Sequence, residues 1–183
     1  MEEYIDVVDD KGNPTGERKL KSLAHKNGDR HKTVHIWIMN TSGDLLIQRR
    51  SPTKENHPNL WDISCAGHIS TGEISLQAAI REAKEELDIT VKEQDLKYLF
   101  TIDSPRVVLN NGTYIDHEFQ DVYLLQLDEN ISNFKLQTEE VAETKWVQWR
   151  ELQNMIQAGD SDFVPHMEEY KKLFIKLAVN NFS

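Results

Sequence analysis

Residues 67–89 read Gly67-His68-Ile69-Ser70-Thr71-Gly72-Glu73-Ile74-Ser75-Leu76-Gln77-Ala78-Ala79-Ile80-Arg81-Glu82-Ala83-Lys84-Glu85-Glu86-Leu87-Asp88-Ile89. Leu76, Ala79, Ile80, Ala83 and Leu87 recur at helical spacing and predict a helix over 75–87, with Ser75 as its N-cap. At about 100° per residue, Glu82, Glu85 and Glu86 fall in one sector at the margin of that apolar stripe. Like charges so spaced repel, and only Arg81 is placed to neutralise Glu85. Alone, the three carboxylates read as a solvated acidic face. If they converge, they suit a hard cation, which prefers oxygen ligands.

Outward from this helix the chain alternates strand and helix signals. Tyr4–Val8 reads as a strand entering a turn at Asp9–Pro14, followed by a short helix around Lys19–His25. His31–Met39 and Leu45–Arg50 read as a hairpin across Asn40–Asp44, and further strands are expected at Leu96–Asp103, Tyr114–Leu127 and Glu143–Gln148. Helices near Arg150–Gln157 and Met167–Val179 close the pattern. Interleaved strands and helices predict an α/β (α+β) sandwich. No repeat or Pro/Gly/Ser linker divides the 183 residues, so one domain over 1–183 is expected, with 1–30 as an extension packing on the core.

With 38% hydrophobic and 28% charged residues, the composition is that of an ordinary soluble chain, and no window supplies the roughly 18 apolar residues a membrane span needs. The acidic start, Met1-Glu2-Glu3, is unlike a signal peptide, so no membrane partner and a cytoplasmic location are expected. Cys65 is the one cysteine and has no intramolecular disulfide partner. A formal charge of -10 opposes binding to a nucleic acid polymer. An anionic substrate would therefore need a recruited cation.

The 67–89 window resembles the Nudix box, GX5EX7REUXEEXGU with U aliphatic, matching at Gly67, Glu73, Arg81, Glu82, Glu85, Glu86 and Ile89. Asp88 stands where the family has a helix-ending glycine, and Asp tolerates the left-handed conformation better than most residues. The resemblance implies a Nudix-type α/β/α sandwich with a central mixed sheet, and hydrolysis of a diphosphate with Mg2+ or Mn2+. It implies the Gly67 carbonyl, Glu82, Glu85 and Glu86 as metal ligands. Glu73 and Arg81 would orient them. Glu82, or else Glu86, would be the general base, with Glu139, Glu140 and Glu143 as loop alternatives.

Beyond the box, Leu45–Arg50, Lys54, Pro58–Trp61 and Gly67-His68 resemble type I isopentenyl-diphosphate isomerases and their hydrolase-like relatives. That likeness implies Arg50 and Lys54 as diphosphate contacts, and allows a second metal site at His25, His35 (with His31 as the alternative), His68, Asp116 and Glu118. Three departures oppose isomerisation. Ala66 stands where the isomerase cysteine should be, with Cys65 one residue off and hence on the opposite strand face. The box keeps Glu82 and Glu85, and the isomerase's C-terminal aromatic residue falls around His166. The expected function is hydrolysis of a nucleoside diphosphate derivative or similar small organic pyrophosphate. An isomerase with a displaced thiol and a non-catalytic Nudix-fold binding module are the alternatives. Apolar residues of the C-terminal helices can serve a core or a homodimer face.

Overall fold

His31–Met39 forms the central strand β3, whose alternating side chains face two different layers. In this computed structural model, which describes residues 3–179, it follows β1 (Tyr4–Val8), β2 (Pro14–Leu20) and α1 (Lys21–Asn27). After it come β4 (Asp44–Arg50), β5 (Trp61–Asp62), β6 (Cys65–His68), α2 (Ser75–Leu87) and β7 (Leu96–Asp103). The chain continues through β8 (Val107–Leu109), β9 (Tyr114–Asp116), β10 (Glu118–Gln126), β11 (Val141–Gln148), α3 (Trp149–Gln157) and α4 (Met167–Val179).

Among the described residues, seven strands build one sheet in the order β11-β4-β3-β10-β7, with β5 beside β4 and β6 beside β3. β3 and β10 are parallel, from His31 opposite Glu118 to Met39 opposite Gln126, and the other pairs are antiparallel. Val34, Ile36 and Ile38 pack with Leu46, Cys65 and the α2 residues Ala78, Ala79, Ala83 and Leu87. Trp37 and Met39 pack on the other face with Leu45, Ile47 and the Leu152, Tyr170, Leu173, Phe174 and Leu177 side chains of α3 and α4. Helices thus cover both faces of a mixed sheet, the α/β/α sandwich expected from the sequence. Each fully buried Leu, Ile or Phe contributes roughly 1.5–3 kcal/mol. Trp149, Leu152, Leu173, Phe174 and Leu177 of α3 and α4 are spent on this core, while Met167, Ile175 and Val179 of α4 are exposed.

Several local expectations change. Pro14–Leu20 is a strand paired with Tyr4–Val8, not a turn running into a helix, and α1 begins at Lys21 and ends where Gly28 adopts φ 74°. The 114–127 strand breaks at His117, and its first piece folds back on β8. Ser75 is the first residue of α2 and does not cap it. Ile74 occupies the N-cap position without a side-chain bond, and the Ser75 hydroxyl meets Tyr123 Oη at 2.9 Å on β10 instead. Asp88 does adopt the left-handed conformation, φ 57° and ψ 29°, and Lys84 and Lys135 both pair with its carboxylate.

The first strand docks against the loop that precedes α2. Thr71 N–H donates to the Tyr4 carbonyl at 2.8 Å, and Gly72 N–H donates to Asp6 at 3.1 Å. Ile5 is fully buried there. This contact stiffens the loop that carries Glu73.

Candidate active site

Glu82 and Glu86 lie on the buried flank of α2, and Glu85 lies at its rim with 51% of its side chain exposed. The α2 apolar stripe is pressed on β6, so the residue of β6 opposite Glu82 must be very small. A Cβ built on Gly67 would lie 1.9 Å from Glu82 Cδ. Only glycine lets the carboxylate approach the strand so closely.

Arg81 ties the loop, strand and helix together. Its Nε and Nη2 donate to the two oxygens of Glu73 at 3.0 and 2.9 Å, a bidentate pair. Nη2 also donates to the His68 carbonyl at 2.9 Å, and Nη1 donates to Glu82 at 2.6 Å and Glu85 at 3.1 Å. Glu73 in turn accepts the Ser70 amide at 3.0 Å. These partners raise the Arg81 pKa further above its ordinary value.

Burial pushes the Glu82 carboxyl up to about 7 despite Arg81 beside it. Glu86 is raised well above the carboxylate range by burial, with the Glu82 and Glu140 charges adding to it. Its side-chain partner is Gln48 of β4, whose amide donates to Oε2 at 3.2 Å. Desolvated, mutually repelling carboxylates are costly as anions unless a cation joins them. Glu82, Glu85 and Glu86 are oxygen donors of the kind a hard divalent ion prefers, although their ligand atoms, unlike those of a histidine cluster on the other face of the sheet, are not drawn within 4.8 Å of one another. Arg81 offsets Glu82 and Glu85, and Lys54 acts on Glu86.

On the other face of the sheet a second polar cluster forms where β3, β6, β10 and α1 meet. His25 Nε2 lies 2.9 Å from His68 Nε2 and from Tyr114 Oη, and Glu118 Oε1 lies 3.3 Å from His31 Nε2 and 3.7 Å from His68 Nε2. One ligand atom from each of His25, His31, His68 and Glu118 comes within 4.8 Å of the others. His31 Nε2 is buried against the Glu118 carboxylate; burial opposes charge on His31, but Glu118 outweighs it and raises its pKa. Burial lowers His25 to about 4 and His68 well below its ordinary value, keeping both neutral, as metal ligands must be. The set fits a borderline ion such as Mn2+, Zn2+ or Fe2+. Asp116 stands at its edge, 3.5 Å from His25 Nδ1, raised to about 7 by burial and by Glu118.

His35 is not part of this cluster. Two positions along β3 from Thr33 and four from His31, it is about 13 Å further up the same face, and its Nδ1 meets Glu169 of α4 at 2.6 Å. His31 takes the place assigned to His35.

Arg50 and Lys54, the expected diphosphate contacts, are both held by acids. Arg50 Nη1 donates to Asp62 at 2.9 Å and its Nε to the Asn56 carbonyl at 3.1 Å; Lys54 pairs with Glu140. Glu139 and Glu143 are exposed, and Glu143 pairs with Arg49 at 3.1 Å. Beside the histidine cluster a cavity of about 300 Å³ is lined by Lys21, Ser22, His25, Glu55 and Tyr114. The Gln48–Glu86 bond and the Asp62–His166 pair carry no sequence signal, because each joins residues distant in the chain.

A family model described as NUDIX domain matches residues 29–167. The chain belongs to the Nudix hydrolase family. Membership implies an enzyme acting on pyrophosphate-type linkages. The Nudix chain is 40% identical over 178 residues to Nudix hydrolase 3 of Arabidopsis thaliana, covering 94% of this chain but only 23% of that much longer protein. It is 34% identical to an uncharacterized Nudix hydrolase of Listeria innocua, over 91% of this chain and 90% of that one. A protein of Jannaschia sp. named isopentenyl-diphosphate Delta-isomerase is 30% identical over 84% of each chain. Among solved structures, DR0079 of Deinococcus radiodurans superposes with a TM-score of 0.73 at 24% identity, covering 93% of this chain and 98% of that one. That likeness is one of fold. No helix among the described residues is long and apolar enough to cross a membrane.

Proposed function

We propose that this Nudix protein hydrolyses the diphosphate bond of a nucleoside diphosphate derivative or a similar small organic pyrophosphate, with Mg2+ or Mn2+ held by Glu82, Glu85, Glu86 and the Gly67 carbonyl. The observation that carries this reading is the Gly67–Glu82 approach, which presses a desolvated carboxylate against β6 beside Glu85 and Glu86. Bound divalent ions would neutralise diphosphate oxygens and favour deprotonation of an attacking water. Glu73 and Arg81 set the orientation of Glu82 and Glu85, and Glu82 is the first choice of general base. Arg50 and Lys54 are the cations assigned to the diphosphate itself.

We also read His25, His31, His68 and Glu118, with Asp116 beside them, as a second metal site, supported by the convergence of one ligand atom from each of the first four within 4.8 Å of the others. Elemental analysis of purified protein and of a His31→Gln variant tests it; equal metal content in both would remove the reading.

The isomerase alternative draws support from the same histidine cluster and from relatives so named. Cys65 opposes it. The thiol is fully buried in the core beneath α2, opposite Ile36, whereas Ala66 stands opposite His35. Burial, with Glu86 and Glu82 nearby, raises it well above its ordinary value, so it is a poor proton carrier. The deciding experiment is a turnover screen with Mg2+ or Mn2+ over nucleoside diphosphates, diphosphate sugars, dinucleotides and isopentenyl diphosphate. Diphosphate hydrolysis is expected. Allylic product instead, or no turnover of any compound, would defeat the proposal.

A further inference from the structure

Asp62, at the end of β5, is a buried carboxylate shared by two cations from distant parts of the chain. Its Oδ2 accepts from Arg50 Nη1 at 2.9 Å, and its Oδ1 accepts from Ile63 N–H at 2.8 Å and lies 3.0 Å from His166 Nε2. The side chain is 2% exposed. Arg50 comes from the end of β4 and His166 from the residue before α4, yet one acid sets their separation. Both cations keep an accessible flank, 18% of the side chain for Arg50 and 21% for His166. A ligand atom of His166 also lies within 4.8 Å of one on His35 and one on Glu169. The groups facing His166 include Asp62, Glu169 and Tyr170, with His35 at 5.1 Å between ring centroids, Arg50 across Asp62, and His57 within electrostatic reach.

A single acid holds both cations, Glu169 faces His166 from its other side, and each cation still keeps an accessible flank. We propose that His166 is a second cationic contact, alongside Arg50, for a phosphoryl group of the substrate, and that Asp62 is the positioning residue that holds the two in place. The proposal rests on the reading of Arg50 as a diphosphate contact. A guanidinium fork next to an imidazolium N–H suits the several acceptor oxygens of a phosphoryl group. Asp62 fixes the imidazole orientation by binding Nε2, the arrangement by which a carboxylate directs a histidine.

Titration calorimetry with inorganic pyrophosphate in the presence of Mg2+ tests this on the whole chain. His166→Gln is expected to weaken binding about tenfold, the worth of one hydrogen bond to a charged group. His166→Arg, which restores a cationic donor, is expected to recover most of that loss. Asp62→Asn should weaken binding at least as much as His166→Gln, because it releases both cations. Unchanged affinity in folded His166→Gln, or equal losses in the Gln and Arg variants, overturns the proposal. Nitrogen chemical shifts of the wild-type histidines provide a readout that needs no variant to fold: the His166 signals should move on adding pyrophosphate, and if they do not the proposal fails. Unchanged affinity in Arg50→Gln also overturns it, whatever the turnover screen returns. Pyrophosphate binding through both residues without turnover of any diphosphate would sink the hydrolase reading and leave this one standing.

Discussion

Gly67 and Glu82 are in such close approach that a side chain on residue 67 and the carboxylate of residue 82 cannot occupy their present places together. A Cβ on residue 67 would sit 2.0 Å from Glu82 Oε1 and 2.5 Å from Cγ. Gly67→Ala must therefore push Glu82 away from β6. Displacing a reacting group by about 1 Å costs on the order of a hundredfold in rate, so Gly67→Ala is expected to lose about that much metal-dependent kcat/KM. Wild-type kinetics in Gly67→Ala would show that the approach is not used.

Arg81 is matched to its site by shape as well as charge. Its fork reaches both oxygens of Glu73, the His68 carbonyl, Glu82 and Glu85 at once, and a lysine ammonium can satisfy only part of that set. Arg81→Lys keeps the charge but frees Glu73, and turnover is expected to drop at least tenfold, the equivalent of losing about 1.4 kcal/mol of orientation. Activity equal to wild type at saturating metal would contradict the positioning role.

Burial and the Glu82 and Glu140 charges disfavour an ionised Glu86 when metal is absent. Glu86→Gln places a neutral group there, so the metal-free variant is expected to melt no lower than wild type, while the rise in Tm on adding Mg2+ shrinks and turnover collapses. Thermal melts with and without Mg2+ check both halves. A full Mg2+ response in Glu86→Gln would remove Glu86 from the ligand set.

The Asp62–His166 pair makes stability depend on pH on the alkaline side. Burial opposes charge on His166, but Asp62 raises it to about 9 from an ordinary 6.5. A raised folded-state value means the stabilisation is complete below about 6.5 and is lost as pH rises through 9. Melting temperatures should fall between pH 6.5 and 9.5, with a shallower fall in His166→Gln. Identical slopes for the two proteins would refute this linkage.

Cys65 bears on the choice between hydrolase and isomerase. Its thiol packs among Ile36, Ala79 and Ala83 in the layer under α2, so Cys65→Ala is expected to keep diphosphate hydrolysis while costing some stability through the lost sulfur. Loss of all turnover in a folded Cys65→Ala protein would return the isomerase alternative to the front.

The box residues were legible because their meaning is local. Glu82, Glu85 and Glu86 lie within one turn and a half, Arg81 reaches Glu73 across eight residues, and helical periodicity alone places them on one margin. Strand and helix order was legible for the same reason, since the apolar alternation of β3 and the 3.6-residue stripes of α2 and α4 are properties of short windows. Ser75 shows where that logic stops. A good capping residue at a helix start was drawn to Tyr123, a partner 48 residues away.

By itself the sequence determined the α/β (α+β) class and the candidate carboxylates, because periodicity and fixed spacing act within a few turns of chain, and its resemblance to the Nudix box implied the family and the α/β/α arrangement. Only the tertiary structure chose His31 over His35 for the histidine cluster, joined Gln48 to Glu86, and set Arg50 and His166 on one buried Asp62. Each of those depends on strand register and on which helix covers which face. Desolvation and contact across the sheet decide them, and neither is a property of any short stretch of sequence.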